Sequence, residues 1–170
     1  AASDVYKRQI LTEVASSNCA FNSDESYLYM TSDNYLTRIK LVKWICILET
    51  GNFKLDGGAM FGVVPKSLWE KTNPPDELNR IKMSARSLLI EDENKLILID
   101  TGLGNKQSEK FFSHFSLWGD FSLEKSLAHY GFSKDDITDV FLTHLHFDHC
   151  GGAIEKDSNG KLSLTFKNAK

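Results

Sequence analysis

At 170 residues, with 20 Lys and Arg against 23 Asp and Glu for a formal charge of −3, the chain has room for one domain with a sizeable core and little for a second. Its 41% hydrophobic and 25% charged residues are those of an ordinary globular domain, and no apolar run approaches the ~18–20 residues of a membrane span. The near-neutral balance, without a Lys/Arg block, argues against a nucleic-acid or anionic-membrane surface, and three irregularly placed cysteines (Cys19, Cys46, Cys150) suit a reducing, cytoplasmic compartment better than a disulfide framework.

The first residues carry little pattern. Ser3–Gln9 (SDVYKRQ) follows a start without Met and resembles translated adaptor sequence, and 10–36 lacks sustained period-2 or period-3.6 alternation. Residues 1–38 are therefore expected to be non-native or poorly ordered, with the domain over 39–170. Lys43–Thr50 (KWICILET) reads as a strand ending at Gly51, with 52–55 as a short partner and Asp56-Gly57-Gly58 as a turn. Ala59–Val64 is short and apolar, an edge or loop before Pro65, and Lys71–Glu77 is a polar, Pro-rich loop.

Ser87–Glu91 and Lys95–Asp100 predict a hairpin across the polar 92–94 turn, and the unbroken apolar run of 96–99 (LILI) predicts burial on both faces. In 106–118, Phe111, Phe112, Phe115 and Trp118 fall at helical spacing and read as core packing. Ser122 predicts an N-cap, 123–130 a short helix and Gly131 its stop, and Ser133 with Asp136 a capping box. Asp139–Thr143 (DVFLT) and 161–166 (KLSLTF) read as strands.

Directly after DVFLT stands His144-Leu145-His146-Phe147-Asp148-His149-Cys150-Gly151-Gly152, which places three of the five histidines within six residues. At this composition H-x-H-x-D-H arises by chance in roughly 3 of 10,000 such chains, so a fortuitous cluster is a poor explanation. In an extended segment His144 and His146 point the same way and can grip one metal ion, and a bend lets Asp148 and His149 face a second. Imidazole and carboxylate suit zinc, and also iron or manganese. Gly151 and Gly152 are expected to let the backbone turn sharply beneath these groups. Cys150 reads as a small buried residue, and His114 and His129, outside any motif, as surface residues.

HLHFDH, in the context FLTHLHFDHCGG, resembles the H-x-H-x-D-H signature of the metallo-β-lactamase-fold hydrolases, and LILIDTGLG (96–104) is similar to the family's strand ending in Asp-x-Gly. The resemblance covers about 43–170 and implies an αββα sandwich, of which this chain is expected to hold the N-terminal part, truncated after Lys170. It implies His144 and His146 on one metal, Asp148 and His149 on a second, and Asp100 beneath the loop, supporting it by hydrogen bonds. Two zinc ions (or iron or manganese) per full-length chain are implied, with a bridging hydroxide attacking a lactone or ester carbonyl and Asp148 shuttling the proton. Phe53–Lys66 and the LHF filling are nearest the quorum-quenching N-acyl-homoserine lactonases, which implies an apolar small-molecule pocket containing Met60 and Phe61. The family's downstream third histidine, bridging aspartate and last histidine have no counterpart, since after His149 there is no His and only Asp157 remains. A phosphotriesterase, a nuclease, an iron-dependent oxygenase of the same fold, or a non-catalytic fragment stay open as alternatives, as does the oligomeric state.

Overall fold

The computed structural model of the protein describes residues 44–170 throughout and, before them, the backbone of three strands. These are β1 (Asn18–Phe21), β2 (Tyr27–Ser32) and β3 (Tyr35–Lys40), an antiparallel meander with Asn18 opposite Thr31 and Tyr27 opposite Lys40. Sequence patterning predicts no element there. The remainder of 1–38 lies outside the described residues, and with it the expectation made for that segment.

The central sheet has four strands in the order β4 (Trp44–Asp56), β5 (Arg80–Asp92), β6 (Lys95–Ile99) and β7 (Asp139–Phe141). The first three are antiparallel, and β7 joins β6 in parallel, Ile97 opposite Asp139 and Ile99 opposite Phe141. Because β6 and β7 run the same way, the loops after them leave the sheet at one edge. That topology brings IDTGLG and THLHFDH together, at the carboxyl ends of parallel strands where α/β folds place their sites.

Strand alternation supplies the core. Cys46 and Leu48 of β4, Leu89 of β5, and Leu96 and Leu98 of β6 are buried on one face, where Leu127, Ile137 and Phe166 cover them. A second cluster joins Phe53, Ala85 and Leu103 to Phe112, Phe115 and Phe147. Ile97 and Ile99 are only half-buried, so the LILI run is sealed on one face and not, as expected, on both.

Several expected boundaries move. The strand does not end at Gly51: it continues to Asp56 through a bulge between Glu49 and Gly51. A side chain at 51 would meet Leu103 Cδ1 at 2.5 Å, so glycine serves a close approach there and not a chain reversal. The expected edge at 59–64 is instead one helical turn, α1 (Gly57–Phe61), because Asp56 Oδ1 accepts from Ala59 N–H at 2.8 Å and caps it. A further turn, α2 (Lys66–Trp69), follows Pro65. The predicted aromatic helix shrinks to α3 (Glu109–Ser113), capped by Ser108. The chain then turns through Ser116 (φ 44) so that Trp118 N–H can reach Asn52 O of β4. The helix α4 (Leu123–His129) has its expected Ser122 cap and Gly131 stop (φ 82), and a 3-10 turn at Lys134–Asp136 has the expected capping box. After α5 (Phe147–Cys150), β8 (Ile154–Lys156) and β9 (Leu162–Leu164) close a small hairpin.

Candidate metal centre

Two backbones lie against each other beneath the histidine loop. Thr101 N–H donates to His149 O at 2.6 Å, Gly152 N–H donates to Gly102 O at 3.0 Å, and Gly102 pairs in parallel with Cys150. No side chain fits between them. A Cβ on Gly151 would stand 2.0 Å from Leu103 O, one on Gly152 2.2 Å from Thr101 O, and one on Gly104 2.4 Å from Gly151 O. The glycines after the motif therefore permit contact between loops, and Gly151 itself has ordinary helical angles (φ −56, ψ −42) instead of the sharp turn expected from sequence. Lys106 Nζ adds a 2.5 Å bond to Gly151 O.

Asp100 is the hub of this junction. It is buried and sits at φ 60, a left-handed conformation that asparagine and aspartate tolerate better than most residues and that aims the carboxylate under the loop. Its Oδ1 accepts from Thr143 N–H at 2.8 Å, its Oδ2 from His149 Nδ1 at 2.7 Å, and both oxygens from the Thr143 hydroxyl, at 3.0 and 2.8 Å. Burial pushes the Asp100 carboxyl up, but the bonds from His149 and Thr143 outweigh it and hold the group below the usual carboxylate value. Asp100, expected from sequence beneath the loop, bonds here to Thr143 and His149; the part played by Thr143 had no signal beyond its place next to the motif.

Above Asp100 the donor atoms lie in pairs. His144 Nε2 is 3.1 Å from His146 Nδ1, close to the roughly 3.3 Å edge of a tetrahedron with metal–nitrogen bonds near 2.05 Å. His149 Nε2 is 3.4 Å from Asp148 Oδ2. The three imidazoles cluster, with ring centroids 4.6 Å (His144–His146) and 4.0 Å (His144–His149) apart. Among the described residues, no group of three or more His, Cys, Asp or Glu is placed to hold an ion. The donor chemistry fits a divalent metal, in two pairs that each supply part of a coordination sphere. Phe147, between His146 and Asp148, points inward onto Phe53, Phe111 and Phe115, with centroids 4.2–5.7 Å away, and anchors the loop.

Other residues singled out from sequence lie elsewhere. Met60 is exposed on α1, and Phe61 stacks on Trp69 at 5.0 Å; neither lines any of four cavities among the described residues. His114 and His129 are exposed, and Cys150 is a half-buried free thiol. A cavity of about 230 Å³ lies behind Thr101 and Gly152 against α4 and includes none of the loop's histidines. No helix among the described residues is long and apolar enough to cross a membrane.

Comparison with known proteins bears on the fold. The metallo-beta-lactamase superfamily profile matches residues 82–157, which span both β6 with its Asp100 loop and the histidine loop. A probable metal-dependent hydrolase from Staphylococcus aureus is 39% identical with a TM-score of 0.67, the match covering 74% of this chain and 44% of that one. AidC, a dizinc quorum-quenching lactonase solved with the product N-hexanoyl-L-homoserine, is 34% identical with a TM-score of 0.55, over 77% of this chain and 42% of that one. The hydrolase AbOPH of the beta-lactamase superfamily, at 22% identity and a TM-score of 0.54, shares the fold. No curated protein sequence matches. The chain has the metallo-β-lactamase fold, and it spans less than half the length of the solved proteins it resembles.

Proposed function

We propose that this chain carries the N-terminal half of the metal centre of a metal-dependent hydrolase acting on small lactones or esters. The observation that carries the reading is the paired donor set, His144 Nε2 with His146 Nδ1 and His149 Nε2 with Asp148 Oδ2, above a carboxylate that holds its loop. The likeness to a dizinc lactonase at 34% identity favours two zinc ions and a lactone over other chemistries of the fold. When bound, such ions supply an activated water near neutral pH and an electrophile for the scissile carbonyl. The chain's own residues do the positioning. His144 and His146 present one pair of lone pairs, Asp148 and His149 the other, and Asp148 has a second oxygen free to take and return a proton.

The test uses the full-length protein. Metal analysis should find about two zinc-like ions per chain, and His146→Ala should lower lactone opening, followed by pH-stat titration, by at least about 100-fold. Undiminished turnover in that variant, or a protein that binds no metal, overturns the reading.

A further inference from the structure

We propose that Thr143 is a positioning residue that extends the hold of Asp100 from His149 to His144, so that one buried carboxylate fixes the proton position on both histidines. The inference rests on the metal-centre reading above for its purpose, and on hydrogen-bond accounting for its content. A hydroxyl has one proton to give and an ionised carboxylate has none. Thr143 Oγ1 lies 2.8 and 3.0 Å from the two oxygens of Asp100 and 3.1 Å from His144 Nδ1. Were its proton directed at His144, oxygen lone pairs of Thr143 and Asp100 would face each other at 2.8 Å. The proton therefore goes to Asp100, and Thr143 accepts from His144 Nδ1–H.

His144 is then the Nδ1–H tautomer, with its lone pair at Nε2. His149 reaches the same state directly, because its Nδ1 donates to Asp100 Oδ2 at 2.7 Å. Both rings present Nε2 outward as acceptors. His144 Nε2 faces His146 Nδ1 at 3.1 Å, so His146 carries its proton on Nδ1 in the metal-free protein and must move it to Nε2 before that pair can take an ion. A histidine free of these bonds populates both tautomers; here the choice is made before any ion arrives.

The experiment reads tautomers first and metal second. Long-range nitrogen–proton NMR on metal-stripped full-length protein should show Nδ1–H at both His144 and His149. Nε2–H at His144 in the wild type overturns the proposal without any variant. Thr143→Val and Thr143→Ala should release His144 to a tautomer mixture while His149, held directly, keeps Nδ1–H, and Thr143→Ser should restore His144. Equal disturbance of both rings would mean general loosening and also overturns it. Zinc affinity, by competition with a chromophoric chelator, should fall about 10-fold or more in the Val variant and stay within about 3-fold in the Ser variant. If the protein binds no zinc yet the tautomers behave as stated, the metal-centre reading fails and the Thr143 assignment stands.

Discussion

Two aspartates in this molecule collect donors from remote parts of the sequence, and they end in different kinds of structure. Asp76, between α2 and β5, accepts from Lys54 Nζ at 2.9 Å, from Arg80 Nε and N–H at 3.0 Å, and from Leu78 N–H at 3.0 Å. Asp100 accepts from Thr143 and His149 at 2.7–3.0 Å. Both carboxyls are held below their usual value. For Asp76 the causes are hydrogen bonds from Arg80 and then Lys54; for Asp100, burial opposes and the bonds from His149 and Thr143 prevail. What separates them is what the partners have left over. Arginine, lysine and a backbone N–H own no lone pair to offer, so the Asp76 network stops at closing the tip of the hairpin. Imidazole gives a proton to Asp100 at one nitrogen and turns a lone pair outward at the other. The same device closes on itself in one place and leaves an outward lone pair in the other.

That contrast can be broken most directly at Asp100. Asp100→Ala leaves the Thr143 N–H and hydroxyl and the His149 Nδ1 without an acceptor and should cost about 3–5 kcal/mol in urea unfolding. A loss below about 1 kcal/mol would make it no more than another surface carboxylate. Next in size is Gly151→Ala, whose Cβ would sit 2.0 Å from Leu103 O and force the two loops apart, at about 3 kcal/mol. Gly160→Ala has open space and only an unfavourable φ of +81, and should cost about 1 kcal/mol in the same measurement.

Cys46 isolates the effect of burial where little opposes it. Burial pushes its thiol from 9.0 up to about 11, against a smaller lowering from Tyr130. The folded state thus holds the proton more tightly, so the contribution is whole below pH 9 and is lost as pH rises through about 11, on the order of 2–3 kcal/mol. Cys46→Ala should flatten that alkaline limb of stability against pH. Smallest is Asp76→Asn. Its folded value is lowered, so its contribution is present above the ordinary carboxylate range near 3.9 and fades as acid titrates the folded group. The variant should lower the unfolding midpoint less than Asp100→Ala does, and the difference should shrink in high salt, because Asp76 is partly exposed.

The legible parts of the sequence were those whose signal is local. Ser122 and Gly131 bracket α4 because a cap and a stop act within one turn, and H-x-H-x-D-H gathers its imidazoles and carboxylate within six residues. Asp100 was legible through its motif. The structure adds what only tertiary contact decides. Gly51 looked like a strand end and is a strand interior, since Leu103 needs the space of its missing side chain. Phe111, Phe112 and Phe115 had helical spacing, but the helix ends at Ser113, before Phe115, and Phe111 and Phe115 pack on Phe147 instead of forming a long helix face. Thr143 could not be separated from any strand-ending threonine until Asp100 was placed beneath it, and Asp76 sat unremarked in a Pro-rich loop.

The bonds from Thr101 to His149 join residues 48 apart in the chain, and this sets an order of events during synthesis. At 5–20 residues per second, the Asp100 loop waits roughly 2–10 seconds on the ribosome before the histidines it will hold have been made. Closing so long a loop is entropically costly and gains little until β7 docks on β6. The histidine cluster, though contiguous in sequence, is therefore a late product of folding: its side chains are oriented in the same step that docks β7 on β6, and a nascent chain that has not taken that step has the motif without the arrangement.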